Sequence, residues 1–351
     1  MPSLPKPRLR RPARSGSLVA PAADQAERAP RVEVIEGPPS RRRGSGVVEP
    51  VVPFRWVNIE RATPLEAAWL AEHYEFHPLD LEDVLSRNQR PKIDEYPDYL
   101  FIVLHFPVFD RSVGRLNAGE LDVFVGRDYI VTIQNAPLQP VEYLFERCRQ
   151  KEELRDQLFS KGSGFLLYRI VDDGFDYCFP MLRKIGNKLD AVEDEIFEGR
   201  AQEVVRDISN VKQEIINFRK VIRPQRAVLR DLEGAKQRFL APPEGEELEI
   251  YFDDIGDAHE RIWDMLENYK EVIEALEDTN ESVISHRVNE VLRVLTSISV
   301  IVLPLTLIAS IWGMNVGVPG EGDDGDFYAV VGGMVVILIG MLLAFRKRGW
   351  L

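Results

Sequence analysis

Only two cysteines, Cys148 and Cys178, occur in 351 residues. Two thiols cannot build a disulfide framework, and no CxxC pair or Cys/His cluster offers a zinc site. Histidine is sparse as well, five in all. His73 and His77 stand four apart, but His77 opens the HPLDLEDV segment and both read as structural. Walker-type phosphate loops, GxSxG and HExxH are absent, which leaves an enzyme without support. Positive charge is short: 44 Lys+Arg against 57 Asp+Glu give −13, a balance that excludes general nucleic-acid binding. The N-terminus is rich in Pro and Arg without an apolar stretch, so no secretory signal is expected. No internal repeat is present.

What the chain does have is unevenly spread. Hydrophobic residues make up 45%, and the slightly negative mean hydropathy conceals two charge-free runs near the C-terminus. Val294 to Trp312 and Phe327 to Phe345 are each 19 residues long. At 1.5 Å per residue each reaches about 28 Å, the hydrocarbon thickness of a bilayer. A soluble core helix of that length keeps a polar face, so two spans are expected. Between them, Gly313 to Asp326 carries four acids (Glu321, Asp323, Asp324, Asp326) and no base. Arg287 and Arg293 precede the first run, and Arg346, Lys347 and Arg348 follow the second. The positive-inside rule then places both termini in the cytoplasm and the acidic loop outside.

These signals set the expected domain limits. Residues 1–50, with ten Lys+Arg, five Asp+Glu and few large apolar residues, form a disordered tail in which Arg41 to Arg43 are solvated. Residues 51–290 form a cytoplasmic domain. The first span covers 291–312, the external loop 313–326, the second span 327–345 and a basic cytoplasmic tail 346–351. Within the cytoplasmic part, VPFRWVNI, YLFIVLHF and ELDVFVGRDYIVTIQ have strand character, and PLEAAWLAEHY and HPLDLEDVLS read as helices. From Pro140 onward every segment is helical in period, with breaks near Gly199, Pro224 and Pro242-Pro243. The fold class is therefore α+β with a membrane part.

The last helical segment, 247–312, runs without a break into the first span. Ile262, Leu266, Tyr269, Ile273, Leu276, Asn280 and Val283 recur by four and three, a coiled-coil-like stripe. An isolated rod cannot hide such a stripe, and self-association is one way to cover it. Further along, Asn289, Leu292, Thr296, Ser299, Leu303, Thr306, Ser310 and Gly313 form a row in which small polar residues and Gly dominate. Two readings fit it equally: a pore face shared by several chains, or hydroxyls bonded to their own carbonyls or gluing neighbouring helices. Oxygen donors suit hard divalent cations that keep their waters.

The first run ends in Gly313-Met314-Asn315, and the block NEVLRVLTSISVIVLPLTLIASIWGMN, together with LEDVLSRNQRPK (Leu81 to Lys92) and the terminal RKRGWL, resembles the CorA family of divalent-cation channels. The resemblance covers roughly residues 50–351. It implies a funnel-shaped homopentamer in the cell membrane, with an N-terminal αβα cytoplasmic domain, one very long pore-lining helix per chain and two C-terminal spans. Gly313, Met314 and Asn315 would then be the selectivity filter. Asn289, Leu292, Leu295, Ser299, Leu303 and Thr306 would line the pore, the leucines as apolar constrictions. Glu82, Asp83, Asp172 and Asp254 would bind regulatory divalent metal between subunits and hold the closed state. The implied cargo is Mg²⁺, with Co²⁺ and possible Ni²⁺. Glu321, Asp323, Asp324 and Asp326 would concentrate cations at the mouth. One departure stands out: GMN is followed by VGVPG, which leans toward the ZntB-like branch and Zn²⁺. Against zinc, no Cys or His lies in either run. A non-conducting, membrane-anchored metal sensor or scaffold is the remaining alternative.

Overall fold

The computed structural model describes residues 29–39, 53–86, 89–110, 114–198, 200, 202–239, 248–314 and 324–349. Its contacts fall into two units, Met1–Tyr177 with Val221–His259, and Cys178–Lys220 with Glu260–Leu351.

The first unit is built on a six-stranded sheet of order β1-β2-β6-β5-β4-β3. Its strands are β1 (Glu33–Pro39), β2 (Pro53–Ile59), β3 (Lys92–Glu95), β4 (Tyr99–Asp110), β5 (Arg115–Gly126) and β6 (Tyr129–Gln134). Only β2 and β6 pair in parallel; all other neighbours are antiparallel. Strand alternation sends successive side chains to opposite faces. Val57 and Ile59 join Phe101, Val103, Phe124 and Val131 in a core with Leu70 of α1 (Pro64–His73) and Val84 of α2 (Pro78–Leu85). Trp56, next to Val57 in sequence and so on the opposite face, meets Phe145 of α3 (Gln139–Gln150) edge-on at 5.0 Å. Helices α4 (Glu152–Phe159), α5 (Gly162–Asp176) and α8 (Gln225–Phe239) complete this unit with the first turns of α9. The buried Gln225 side chain bonds both the N–H and the C=O of His105, so α8 engages β4 as a strand neighbour would.

Three expectations change here. Residues 33–39, assigned by composition to a disordered tail, form β1, paired with β2 from Glu33 to Pro39. Their alternation Val-Ile within Glu33–Glu36 supplies one apolar position, Ile35, that buries against the sheet and outweighs the polar flanks. The ELDVFVGRDYIVTIQ run is two strands, because Gly126 ends β5 where any Cβ would collide with the Tyr129 ring. The acidic loop is shorter than 313–326, since α10 (Asp324–Lys347) begins at Asp324 and takes Asp324 and Asp326 into its first turn. Acids are favoured at a helix N-terminus, where they face the positive end of the dipole.

In the second unit, α6 (Cys178–Phe197) and α7 (Val205–Ile222) accompany α9 (Leu248–Trp312). The last runs 65 residues, about 98 Å at 1.5 Å per residue, through Pro304. The stripe Ile262, Leu266, Ile273, Leu276 and Asn280 is buried within the chain itself. Facing it are Leu182, Ile185 and Leu189 of α6 and Val211, Ile215 and Phe218 of α7, all buried. Arg219 and Lys212 of α7 pair with Glu267 and Glu277 of α9, and the Arg261 guanidinium lies 5.0 Å from the centre of the Phe179 ring. Self-association is therefore not what hides the stripe: a helical hairpin of the same chain does.

Candidate functional site

Beyond Asn280 most of α9 is exposed, with Ser297 and Ile301 the buried exceptions among the described residues. Counting 100° per residue, Asn289, Leu292, Leu295, Ser299, Leu303 and Thr306 all fall within an arc of about 120°. Every one is exposed, with Leu292, Leu295 and Leu303 at 51%, 58% and 65%. Ser297 and Ile301, which the chain does bury, lie on the opposite side of the helix. The arc thus faces away from the chain's own packing. Of the most apolar window in each of the two helices, only 11% of the first and none of the second is buried, so neither is a core helix of this chain. Ser299 Oγ donates to Leu295 O at 2.9 Å and Thr306 Oγ1 to Leu303 O at 2.8 Å. Each hydroxyl proton is spent inside the helix, and the remaining lone pairs are acceptors suited to the waters of a hydrated cation. Gly313 N–H closes the last turn on Ala309 O at 3.0 Å, with Met314 exposed after it. Asn315, Glu321 and Asp323 lie outside the described residues, as do the side chains of Asp324 and Asp326.

The four acids expected to bind regulatory metal all belong to the first unit, where they form two neighbourhoods. Asp172 on α5 and Asp254 on α9 belong to one. Burial, then Asp176, Asp173 and Asp254, push the Asp172 carboxyl up to about 6, against the opposing pull of Arg169. Arg169 reaches Asp172 at 3.0 Å and Asp173 at 2.5 Å. Three further carboxylates thus crowd one that is only 13% exposed, and a single guanidinium does not offset them. Asp254 is exposed. Around Asp172 the carboxylates outnumber the one guanidinium, and the pair offers oxygen donors alone, a set that fits a hard divalent cation.

Asp83 belongs to the other neighbourhood. Its Oδ2 takes Lys92 Nζ at 2.7 Å and its Oδ1 takes Gln89 Nε2 at 3.1 Å, while Glu82 beside it is exposed. Asp80, Asp83 and Asp94 offer oxygens within 4.8 Å of one another, metal-like spacing, but the Lys92 ammonium sits on Asp83 and Asp94. Burial opposes the charge on Lys92, yet its bonds to the two carboxylates hold it protonated above the usual lysine range. The cation of this cluster is therefore a lysine. Sequence reasoning missed its supports. Asp80, fully buried, accepts from Tyr99 Oη at 2.7 Å and Tyr96 Oη at 3.0 Å, pinning α2 and with it Glu82 and Asp83. The spacing Asp80 to Asp83 on one helix was the available signal, but the tyrosines arrive from β3–β4 and only the sheet brings them.

The family profile described as CorA-like Mg²⁺ transporter protein matches residues 53–347. The cobalt/magnesium transport protein CorA of Thermotoga maritima is 32% identical over 312 residues, 87% of each chain. Among solved structures, the complete CorA magnesium transporter from Methanocaldococcus jannaschii superposes with a TM-score of 0.77 at 22% identity, covering 91% of this chain and 98% of that one. The ZntB cytoplasmic domain from Vibrio parahaemolyticus shares the fold over 72% of this chain and 98% of its own, with a TM-score of 0.53 and 17% identity. With its two bare apolar helices and its unbroken 65-residue helix, this chain belongs to the CorA-like Mg²⁺ transporter family, whose members carry divalent cations across membranes.

Proposed function

We propose that the chain forms a homopentameric Mg²⁺ channel in the cytoplasmic membrane, passing Co²⁺ and Ni²⁺ as well, with both termini in the cytoplasm. The observation that carries this reading is the arc of α9 from Asn289 to Thr306: exposed, opposite the residues the chain buries, and leading to Gly313-Met314-Asn315. Five copies around one axis would turn the arc into a lining. Leu292, Leu295 and Leu303 then make dewettable constrictions, and Ser299 and Thr306 offer oxygen to hydrated ions. Asn315 rings the outer mouth, next to the acids of the external segment.

Closure follows from charge. Asp172 and Asp254 of one protomer, with Glu82 of its neighbour, hold a divalent ion when cytoplasmic metal is plentiful; Asp83, expected among these ligands, is already paired with Lys92. Bound metal replaces carboxylate repulsion with attraction and favours the shut ring. At free metal about ten times its dissociation constant each site contributes about 1.4 kcal/mol, and five around a ring reach about 7 kcal/mol, above the roughly 5.5 kcal/mol that carries a gate from mostly shut to mostly open.

The test is uptake into liposomes loaded with a Mg²⁺-sensitive dye. Protein-dependent Mg²⁺ entry is the expected result; no flux with any divalent ion returns the protein to a metal-sensing scaffold. The VGVPG segment after Asn315 favours a second reading, a Zn²⁺ transporter, so the assay is run with Zn²⁺ in parallel with and without a proton gradient. Zn²⁺ entry without Mg²⁺ entry selects that branch. A separate prediction concerns assembly. Mass measurement in detergent should give five chains of 40.1 kDa, about 200 kDa, whereas a stable monomer or dimer eliminates a shared lining.

A further inference from the structure

A cavity of about 830 Å³ opens in the first unit, among the start of α1, the end of α2 and strands β5 and β6. Asp122 lines it, only 4% exposed, and its Oδ1 has no hydrogen-bond partner. A buried polar atom left unmatched costs free energy, and a ligand that reaches it removes that cost. Burial, reinforced by Glu120 and Asp83, raises the Asp122 carboxyl well above the ordinary range. Whichever form it takes, its unmatched oxygen accepts a hydrogen bond from a ligand N–H.

The charge at the cavity is positive although the protein is acidic. Glu66 lines it too, but both its oxygens are committed: Oε1 accepts the Arg31 N–H at 2.9 Å, and Oε2 accepts the Thr63 N–H at 2.9 Å and the Thr63 hydroxyl. Glu66 keeps its charge but has no free oxygen, so the two exposed arginines of the lining, Arg31 and Arg61, leave one net positive charge there. Two arginines facing one space suit phosphate oxygens, which they bind in bidentate fashion. A free phosphate would leave most of 830 Å³ empty, and the apolar wall of Val84, Leu85 and Ile133 offers it nothing. That wall suits a flat ring, and the volume falls in the range of organic-ligand pockets.

We propose that this cavity binds a nucleotide, its phosphates on Arg31 and Arg61, its base against Val84, Leu85 and Ile133, and the edge of the base hydrogen-bonded to Asp122. The site is separate from the pore face and from the acids on α5 and α9, and it needs no transported ion to fill it.

The experiment is calorimetric titration of the full-length protein in detergent, with EDTA present, using ADP, adenosine and inorganic phosphate as separate probes. ADP should bind saturably with a Kd below about 1 mM, and phosphate or adenosine alone should be weaker by about tenfold or more. Arg61→Glu, at an exposed position, should weaken ADP by about tenfold or more, and Leu85→Trp, which fills the cavity from its rim, should remove binding. Circular dichroism checks that both variants keep the parent's helix content. No saturable heat up to about 5 mM ADP, phosphate binding as tight as ADP, or ADP affinity unchanged in both folded variants overturns the proposal. Chelated, flux-free conditions make that outcome independent of the liposome result.

Discussion

Asn315→Ala is expected to lower Mg²⁺ uptake by about a hundredfold while the oligomer stays assembled. Mg²⁺ gives up its waters reluctantly, so a filter that selects it holds the water shell instead of the bare ion. An amide oxygen accepts hydrogen bonds from those waters, and bonds within a charged group's shell are worth roughly 1.5–3 kcal/mol each. Loss of even one such bond at the rate-limiting position changes flux by about ten- to a hundredfold, and alanine removes the whole ring of amides at once. The chain's own packing around α9 uses Ile262 to Asn280, far from the filter along the helix, so the substitution leaves the fold of the protomer untouched. The check combines dye-loaded liposomes with mass measurement of the same preparation. Normal uptake by an intact Asn315→Ala oligomer would falsify the filter assignment.

Asp172→Asn should separate stability from regulation, moving them in opposite directions. Crowding by burial and by Asp176, Asp173 and Asp254 lifts the Asp172 carboxyl up to about 6, against an ordinary value of 3.8. For an acid raised in this way the folded protein binds the extra proton. The associated stability is therefore present below about pH 4 and disappears as pH climbs to about 6. At neutral pH the ionised Asp172 thus destabilises the metal-free protein by about 2–3 kcal/mol. Asparagine keeps the volume and can still accept from Arg169, but it carries no charge. In EDTA at pH 7 the variant should melt about 5 °C above the parent, and at pH 4 the two should converge. Mg²⁺ should then protect the parent's cytoplasmic domain from trypsin strongly and the variant weakly, because the ion's gain is relief of the repulsion that the variant lacks. A variant less stable than the parent in EDTA at pH 7, or one with an unaltered Mg²⁺ titration, would remove Asp172 from the sensor.

The proposed sensor and the proposed filter differ in how visible they were. Gly313-Met314-Asn315 is contiguous, and its place at the end of a charge-free run gives it meaning without coordinates. Asp172 and Asp254 are 82 positions apart and become one cluster only when α5 and the first turns of α9 share a unit. Lys92 is the sharpest case. In sequence it closes the QRPK segment; in the structure its ammonium holds Asp83 and Asp94 together where acid spacing alone suggests a metal.

Patterns of period two, period three to four and absence of charge are properties of the chain, so the sequence alone determined the strands β2 and β4, the unbroken helix from the cytoplasmic part into the first span, and the two spans. Those features depend on local geometry and on transfer of side chains from water, and neither needs to know what lies opposite. Partnership does. That Ile35 anchors a strand inside a polar stretch, that α6 and α7 cover the stripe of α9, and that Asp122 stays buried and unmatched in a cavity whose lining includes two arginines were decided by the tertiary structure. Each depends on residues tens of positions away meeting at contact distance, where burial and Coulomb terms become strong, and no window of sequence contains both partners.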